Sequence, residues 1–211
     1  MSELFRRRGV CLVLAAPSGA GKSTIARALR AREPDLVNSV SVTTRTPRPG
    51  EREGVDYFFR TPEEFAHLAE TGALLEWAHV FGHSYGTPRA PVVAALAAGS
   101  DVIFDIDWQG HRLLRAALPG DVVGVFILPP SLELLRQRLV DRGTDSAEVI
   151  ETRMARARAE ITHWPEFDNI LINQDLPTAI DQAHAVLIAG RSAVARQTGL
   201  ADLGFANSPT H

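Results

Sequence analysis

The amino-acid sequence predicts an α/β fold in which a parallel sheet is flanked by helices and carries an inserted α+β subdomain and a helical lid. Three observations predict it. Residues 10–16 form an apolar run that ends in a glycine-rich turn, strand-type and helix-type patterns alternate along most of the chain, and residues 38–90 interrupt that alternation. With 211 residues, 45% of them apolar, the chain is long enough to bury the core that this architecture needs.

The first predicted unit is a strand, a turn and a helix. Residues 10–16 are continuously apolar, as expected of a parallel strand that is buried on both faces. Cys11 lies in this strand, so we expect a small buried thiol, and as the only cysteine it cannot form an internal disulfide. The helix has Ile25 and Leu29 on its apolar face and ends before Pro34, which cannot continue it.

The second predicted unit, residues 38–90, is an insertion of short strands around one helix. We expect strands at residues 39–44, 56–59 and 74–80. Thr61, followed by Pro62 and Glu64, has the sequence of a capping box and marks the start of the helix. Residues 81–87 are predicted to be a loop.

The alternation of strands and helices resumes after residue 90. We expect strands at residues 102–106, 122–128 and 170–173, and helices at residues 91–98, 109–118, 131–141, 147–162 and 178–195. Ser131 is suited to cap the third of these helices. These bounds divide the chain into a core (1–37, 91–140 and 163–211), the inserted subdomain (38–90) and a lid (141–162).

Charge and hydropathy exclude several functional classes. The net charge of −3 offers no basic field for nucleic acid. The apolar run after the N-terminal arginines is too short for a signal peptide, and no stretch approaches the ~20 apolar residues of a membrane span. We therefore expect a cytoplasmic monomer or homodimer that binds neither nucleic acid nor a membrane.

The turn after the first strand has the phosphate-binding pattern G-x-x-x-x-G-K-[ST], with alanine in place of the first glycine. Gly19 and Gly21 allow positive φ, which lets successive N–H groups converge on phosphate oxygens at the N-terminus of a helix. Lys22 can reach the β- and γ-phosphates, and the Ser23 hydroxyl can bind Mg²⁺. The sequence therefore predicts a P-loop NTPase-type sheet that binds ATP with Mg²⁺. The predicted ATP-binding residues of this turn are Ala16, Pro17, Ser18, Gly19, Ala20, Gly21, Lys22, Ser23 and Thr24.

A P-loop alone is compatible with ATPases, GTPases, kinases and motors. A GTPase would need a guanine-binding segment of the Asn-Lys-x-Asp type, and Lys22 is the only lysine among the 22 basic residues. The sequence therefore excludes a GTPase, and it is short for a motor.

A second set of motifs follows the P-loop. Its segments are Ser-Val-Thr-Thr-Arg-Thr-Pro-Arg-Pro-Gly-Glu at 41–51, Gly-Val-Asp-Tyr at 54–57, Leu-Glu-Trp at 75–77, His-Ser-Tyr-Gly-Thr at 83–87, Asp-Ile-Asp-Trp-Gln-Gly at 105–110, Arg-Leu-Val-Asp-Arg-Gly-Thr-Asp at 138–145 and Asn-Gln-Asp at 173–175. In order and spacing these segments closely resemble the guanylate kinase family, over about residues 8–190. The resemblance implies that the chain transfers the γ-phosphoryl group of MgATP to GMP, and we expect to dGMP as well, in guanine nucleotide recycling.

The residue types suit an acceptor of that kind. Arg45 and Arg48 flank a proline turn, and planar guanidinium groups are well matched to a phosphate dianion. By resemblance, these arginines and the hydroxyls of Tyr57 and Tyr85 hold the GMP phosphate.

Recognition of the base is also implied by the resemblance. Guanine presents N1–H and the N2 amino group as neighbouring donors, which the Glu76 carboxylate can accept, with Asp107 as a second candidate. Ser41 and Thr87 hydroxyls can donate to guanine O6. The implied GMP-binding residues are Ser41, Arg45, Arg48, Tyr57, Glu76, Tyr85, Gly86, Thr87 and Asp107.

The resemblance implies a catalytic set that is spread over the chain. Asp105 lies at the C-terminal end of a buried strand, where open α/β sheets bind ligands, and it either acts through Mg²⁺-bound water or orients the acceptor phosphate. Lid arginines contact the ATP phosphates or the moving phosphoryl group, and Asn173 lies near adenine. The implied catalytic residues are Lys22, Arg45, Asp105, Arg138, Arg142 and Arg153.

Two alternatives remain open at this point. A ribosyl-bisphosphate kinase has a similar fold and P-loop, but it should lack the guanine-binding residues Ser41, Glu76 and Thr87. A non-catalytic guanylate-kinase-like binding module typically has a degraded P-loop, whereas this chain retains Lys22 and Ser23.

Overall fold

The strands of the chain lie in two sheets. The structure, a computed structural model, describes residues 6–80, 82–141, 143 and 146–198. The strands are β1 (Cys11–Ala15), β2 (Val37–Asn38), β3 (Val42–Thr43), β4 (Phe58–Phe59), β5 (Leu74–Val80), β6 (His83–Pro88), β7 (Val102–Asp105), β8 (Val122–Leu128) and β9 (Asn169–Ile172). The helices are α1 (Lys22–Arg32), α2 (Pro62–Glu70), α3 (Arg89–Ala97), α4 (Trp108–Ala117), α5 (Leu132–Asp141), α6 (Ala147–Ile161) and α7 (Leu176–Ser192).

The first sheet has five parallel strands in the order β2–β7–β1–β8–β9. Side chains of its central strand alternate between two apolar layers, so that Leu12 and Leu14 pack with α1 and α7, and Cys11 and Val13 pack with α3 and α4. Cys11 is buried, as predicted, and burial raises the pKa of its thiol to about 12.

The second sheet has the order β4–β3–β6–β5 and forms the inserted region. The loop predicted at residues 81–87 is wrong, because β6 pairs with β5 in an antiparallel hairpin and also pairs with β3. Gly82, with φ of 79°, lies in the connection between the two hairpin strands. Gly86 and Pro88 are poor strand formers, and β6 has no aliphatic residues that alternate with polar ones, so pairing with two neighbours fixes it as a strand.

The single strand predicted at residues 39–44 is also wrong. The chain forms β2, which extends the first sheet beside β7, and then β3, which belongs to the second sheet. The other predicted strands and helices are present, with ends displaced by a few residues at most.

Helices α5 and α6 form a hairpin with an apolar contact of their own, made by Leu135, Leu139, Ile150 and Met154. The predicted caps are confirmed. Ser131 Oγ accepts from the Leu134 N–H at 3.1 Å, and Thr61 and Glu64 form the reciprocal bonds of a capping box at the start of α2. Among the described residues, no helix is long and apolar enough to span a bilayer.

Candidate active site

The P-loop connects β1 to α1 and surrounds a cavity of about 360 Å³. Gly19 and Gly21 have φ of 95° and 101°, in the left-handed region that favours glycine. A Cβ on Gly21 would lie 2.4 Å from Nδ2 of Asn173, so both conformation and space require glycine there. The cavity is lined by Ala16, Pro17, Ser18, Gly19, Gly21, Lys22, Ser23, Thr24, Asp107 and Glu160.

Three polar side chains meet where α1 begins. The parallel register pairs Leu14 with Asp105, which brings the end of β7 beside the P-loop. The Lys22 ammonium forms an ion pair with Asp105 and donates to the Ile106 carbonyl at 3.2 Å. Ser23 Oγ donates to Asp105 Oδ2 at 2.9 Å. The predicted phosphate lysine and the predicted metal hydroxyl therefore both contact the strand-end carboxylate.

A second cavity, of about 200 Å³, lies beside the first. It is lined by Lys22, Ser41, Tyr57, Glu76, Ala78, Tyr85, Asp105, Ile106 and Asp107. Lys22 and Asp107 line both cavities. Asp107 is held there because its Oδ1 accepts from the Gly110 N–H at 2.8 Å and caps α4. The two cavities thus share part of their lining, although several predicted residues, among them Arg45, Arg48 and Thr87, line neither cavity.

Glu76 is a buried carboxylate in the wall of the second cavity, with 8% of its surface exposed. Its Oε1 accepts from Thr87 Oγ1 at 2.6 Å. Burial raises the pKa of Glu76, and the negative charge of Asp107 adds to that effect. Since the Thr87 hydroxyl has one proton and gives it to Glu76, Thr87 orients the carboxylate here, and its contact with guanine O6 stays a prediction.

Gly86, on β6, lets that strand approach β5 closely. A Cβ on Gly86 would lie 2.9 Å from the backbone oxygen of Glu76. Its position therefore has a packing reason, while its contact with GMP stays a prediction.

Arg45 and the two tyrosines form a cluster at the edge of the second cavity. The guanidinium carbon of Arg45 is 5.3 Å from the centre of the Tyr57 ring, and the Tyr57 and Tyr85 ring centres are 6.1 Å apart. A hydrogen-bonded ion pair with Glu51 raises the pKa of Arg45. Arg48 is exposed nearby.

Arg138, Arg153 and Asn173 line neither of the two cavities. Arg138 donates from NH2 to the Asn173 carbonyl at 2.9 Å. Asn173 is 5% exposed, and its Nδ2 donates to the Ala20 carbonyl at 2.7 Å, so this amide supports the P-loop. Arg153 lies on α6. Arg142 lies outside the described residues. The roles of these residues in ATP binding and transfer stay predictions.

Sequence reasoning missed two carboxylates. Glu160, at the end of α6, lines the P-loop cavity and accepts a hydrogen bond from the Ser18 backbone. Burial raises the pKa of Glu160, the charge of Asp107 raises it further, and Lys22 opposes the shift. Glu51 pairs with Arg45. Glu51 lies within a quoted motif, whereas Glu160 carried no signal, because only the folded lid brings it to the P-loop.

A sequence model of the guanylate kinase family matches residues 8–189. A guanylate kinase of Gluconobacter oxydans is 66% identical over 197 residues, which cover 93% of this chain and 95% of that protein. A guanylate kinase of Granulibacter bethesdensis is 61% identical over 191 residues, covering 90% of this chain and 89% of that protein.

A solved structure gives the same result for the fold. The crystal structure of guanylate kinase from Anaplasma phagocytophilum is 35% identical and superimposes with a TM-score of 0.77, covering 99% of this chain and 100% of that one. Sequence and fold similarity therefore extend over both cavities.

Proposed function

This chain belongs to the guanylate kinase family, and we infer from that membership that it transfers the γ-phosphoryl group of ATP to GMP, giving ADP and GDP. The roles that we propose for individual residues rest on one observation, which is that Lys22 and Asp107 line both cavities. A donor phosphate in the P-loop and an acceptor in the second cavity would meet at the Lys22 ammonium.

The donor subsite is the P-loop. The N–H groups at the start of α1 and the positive φ of Gly19 and Gly21 suit phosphate oxygens. Lys22 would exchange part of its ion pair with Asp105 for contact with the β- and γ-phosphates. Asn173 keeps the loop in shape through its bond to Ala20.

The acceptor subsite separates phosphate recognition from base recognition. Arg45, Arg48, Tyr57 and Tyr85 would hold the GMP phosphate, because forked guanidinium groups and phenol hydroxyls all donate to its oxygens. Tyr57 and Tyr85 line the same cavity as Glu76, and Arg45 lies against the Tyr57 ring.

Glu76 would read guanine by accepting from N1–H and the N2 amino group, with Ser41 and Asp107 completing the base subsite. Adenine has an acceptor at N1 and would give Oε2 of this buried carboxylate no donor, which is how hydrogen-bonding sites reject analogues. The acceptor phosphate and base are the same in dGMP, so we propose that dGMP is also a substrate.

Transfer needs no covalent enzyme intermediate. An oxygen of the GMP phosphate attacks the γ-phosphorus in line, a new P–O bond forms, and the bond to the β–γ bridging oxygen breaks, so that ADP leaves with that electron pair. Lys22 and the acceptor arginines hold the two anions together and balance their charge, which is the main contribution the protein makes.

The site also suits Mg²⁺. Ser23 Oγ and Asp105 Oδ2 lie 2.9 Å apart at the edge of the P-loop, and oxygen ligands from one or two side chains beside substrate phosphates are what Mg²⁺ prefers. Ser23 would bind the ion directly, and Asp105 directly or through water, unless Asp105 instead orients the acceptor phosphate. When bound, Mg²⁺ neutralises charge on the β- and γ-phosphate oxygens.

We further propose that residues 38–90 and 141–162 move as acceptor subdomain and lid against the core (1–37, 91–140 and 163–211). The separate apolar cluster of Val42, Phe65 and Leu74 in the second sheet supports the division of residues 38–90 from the core. Closure would bring lid arginines to the phosphates and exclude water. We expect the enzyme to act in the cytoplasm, where both nucleotides are found, as a monomer or homodimer.

A coupled assay that follows ADP release tests the proposal. GMP should be phosphorylated, while AMP, CMP and ribose 1,5-bisphosphate should give at most a small fraction of its kcat/KM. Preference for ribose 1,5-bisphosphate would assign the second cavity to the alternative kinase, and no turnover with any acceptor would favour a binding module.

A further inference from the structure

The loop that carries Arg45 and Arg48 is organised by one carboxylate, that of Glu51. Both of its oxygens accept from Arg45 NH2, Oε1 at 2.8 Å and Oε2 at 3.0 Å. Oε2 also accepts from the backbone N–H of Arg48 at 2.8 Å. Glu51 therefore contacts the side chain of one phosphate arginine and the main chain of the other.

The same four residues form a tight turn. The Glu51 N–H donates to the Arg48 carbonyl at 3.0 Å, which closes the turn Arg48-Pro49-Gly50-Glu51. Pro49 stands at the second position, and Gly50, with φ of 90°, stands at the third, as a type II turn requires. Because the Glu51 side chain returns to the Arg48 N–H, the turn is closed from both ends.

The ion pair is largely shielded, with 10% of the Arg45 side chain and 19% of the Glu51 side chain exposed. Arg45 also donates from NH1 to the Thr46 carbonyl at 2.8 Å. A guanidinium has five N–H donors, so these contacts fix its plane and leave other N–H groups for an anion. The Arg45–Glu51 hydrogen bonds raise the pKa of Arg45 and lower that of Glu51, so both groups stay ionised near neutral pH.

We propose that Glu51 is a positioning residue that fixes the guanidinium plane of Arg45 and the turn at Arg48 in the geometry that grips the acceptor phosphate. The inference rests on the proposed role of the two arginines. Glu51 does not touch the reacting atoms. It lowers the entropy that a long arginine side chain loses on binding, because the side chain is already ordered before GMP arrives.

Two other roles of Glu51 must be distinguished from positioning. Glu51 could compete with the GMP phosphate for Arg45, in which case its removal would tighten GMP binding. It could also merely stabilise the subdomain, in which case its removal would weaken every ligand of the acceptor cavity equally.

Glu53 provides a matched control on the same loop. Its carboxylate also accepts from one backbone N–H, that of Phe59 at 2.9 Å, and from one guanidinium, that of Arg60 at 2.8 Å. These contacts lead to β4 and not to the phosphate arginines. Glu53→Gln therefore removes a similar charge and similar hydrogen bonds without disturbing Arg45.

The test compares Glu51→Gln with Glu53→Gln in steady-state kinetics and in inhibition by guanosine, which has the base but no phosphate. We expect Glu51→Gln to raise KM for GMP by about tenfold, as for a disturbed charge-assisted phosphate contact. The KM for ATP and the guanosine inhibition constant should stay within about twofold of wild type. Glu53→Gln should leave all three constants near the wild-type values.

Other results overturn the inference. Equal weakening of GMP and guanosine would assign Glu51 to subdomain stability, and a lower KM for GMP would assign it to competition. If Glu51→Gln does not fold, Glu51→Asp takes its place with the same expected pattern, and failure of both to fold also overturns the positioning role.

Arg45→Ala separates this inference from the function on which it rests. If Arg45→Ala leaves KM for GMP unchanged, the acceptor-phosphate site itself is wrongly assigned. If Arg45→Ala weakens GMP while Glu51→Gln has no effect, only the role of Glu51 is wrong.

Discussion

Glu76→Gln should make the protein more stable and less able to recognise its acceptor. The Glu76 side chain is buried, and burial raises its pKa in the folded state. An acid whose folded pKa lies above its unfolded value favours folding below the unfolded pKa, and that contribution is lost as the pH rises through the folded pKa. Near neutral pH the neutral isostere removes this cost, so we expect a gain of about 1 kcal/mol in the free energy of unfolding.

The effect on activity follows from the same geometry. Oε1 of Glu76 accepts a hydrogen bond from Thr87. Oε2 of Glu76 lies beside Gly110, 3.4 Å from the position that a Cβ on Gly110 would have. A hydrogen bond to a charged acceptor contributes about 1.5–3 kcal/mol. The amide introduced by Glu76→Gln keeps one neutral acceptor but presents an N–H donor to the other guanine N–H. We therefore expect a loss of roughly 3 kcal/mol, or about 10²-fold in kcat/KM for GMP.

The assay measures kcat/KM for GMP and AMP together with thermal unfolding at pH 7. The GMP-over-AMP ratio should fall by at least about 10²-fold, because AMP no longer leaves a buried carboxylate unpaired. Glu70→Gln, at the exposed end of α2, is the control and should change neither quantity. An unchanged substrate ratio combined with a lower unfolding temperature would refute both the base-reading role and the burial argument.

Three further changes probe other parts of the account. Lys22→Met should lower kcat by at least about 10²-fold while GMP affinity, measured by calorimetry, stays near wild type, and equal turnover would remove this lysine from the mechanism. Glu160→Gln should tighten ATP binding by about fivefold, because it removes the repulsion between a carboxylate and the ATP phosphates. Glu151→Gln, on the same helix, is the control. Weaker ATP binding by Glu160→Gln would contradict this repulsion. Thr61→Ala should reduce the free energy of unfolding by about 1 kcal/mol through loss of the α2 cap, without changing kcat, as measured by denaturant unfolding.

The parts of the molecule that local chemistry decides were predictable from the sequence. The P-loop is one short segment whose glycines, lysine and hydroxyl carry their own geometry, and Thr61 and Ser131 cap helices through contacts only three residues away. The apolar runs of the first sheet were equally clear, because strands buried on both faces need no periodicity.

The parts of the molecule that depend on tertiary pairing were not predictable from the sequence. Strand β6 contains Gly86 and Pro88 and no aliphatic residue, and its pairing with β3 and β5 makes it a strand. Residues 39–41 lie between β2 and β3, which belong to different sheets. The β-rich sequence of residues 39–44 gives no sign of this break.

The same distinction holds for the site. Glu51 is close in sequence to both phosphate arginines, yet its reciprocal bond with the Arg48 main chain appears only in the folded turn. Glu160 reaches the P-loop from the far end of the lid hairpin, and Asn173 turns its amide toward Ala20. Separation along the chain hides such contacts from any pattern of neighbouring residues.

A crystal structure with GMP bound would show whether the second cavity recognises both the base and the phosphate. We expect guanine N1 and N2 within hydrogen-bond distance of the Glu76 carboxylate, and the phosphate on the guanidinium groups of Arg45 and Arg48. A base directed away from Glu76, or a phosphate bound without either arginine, would contradict this expectation.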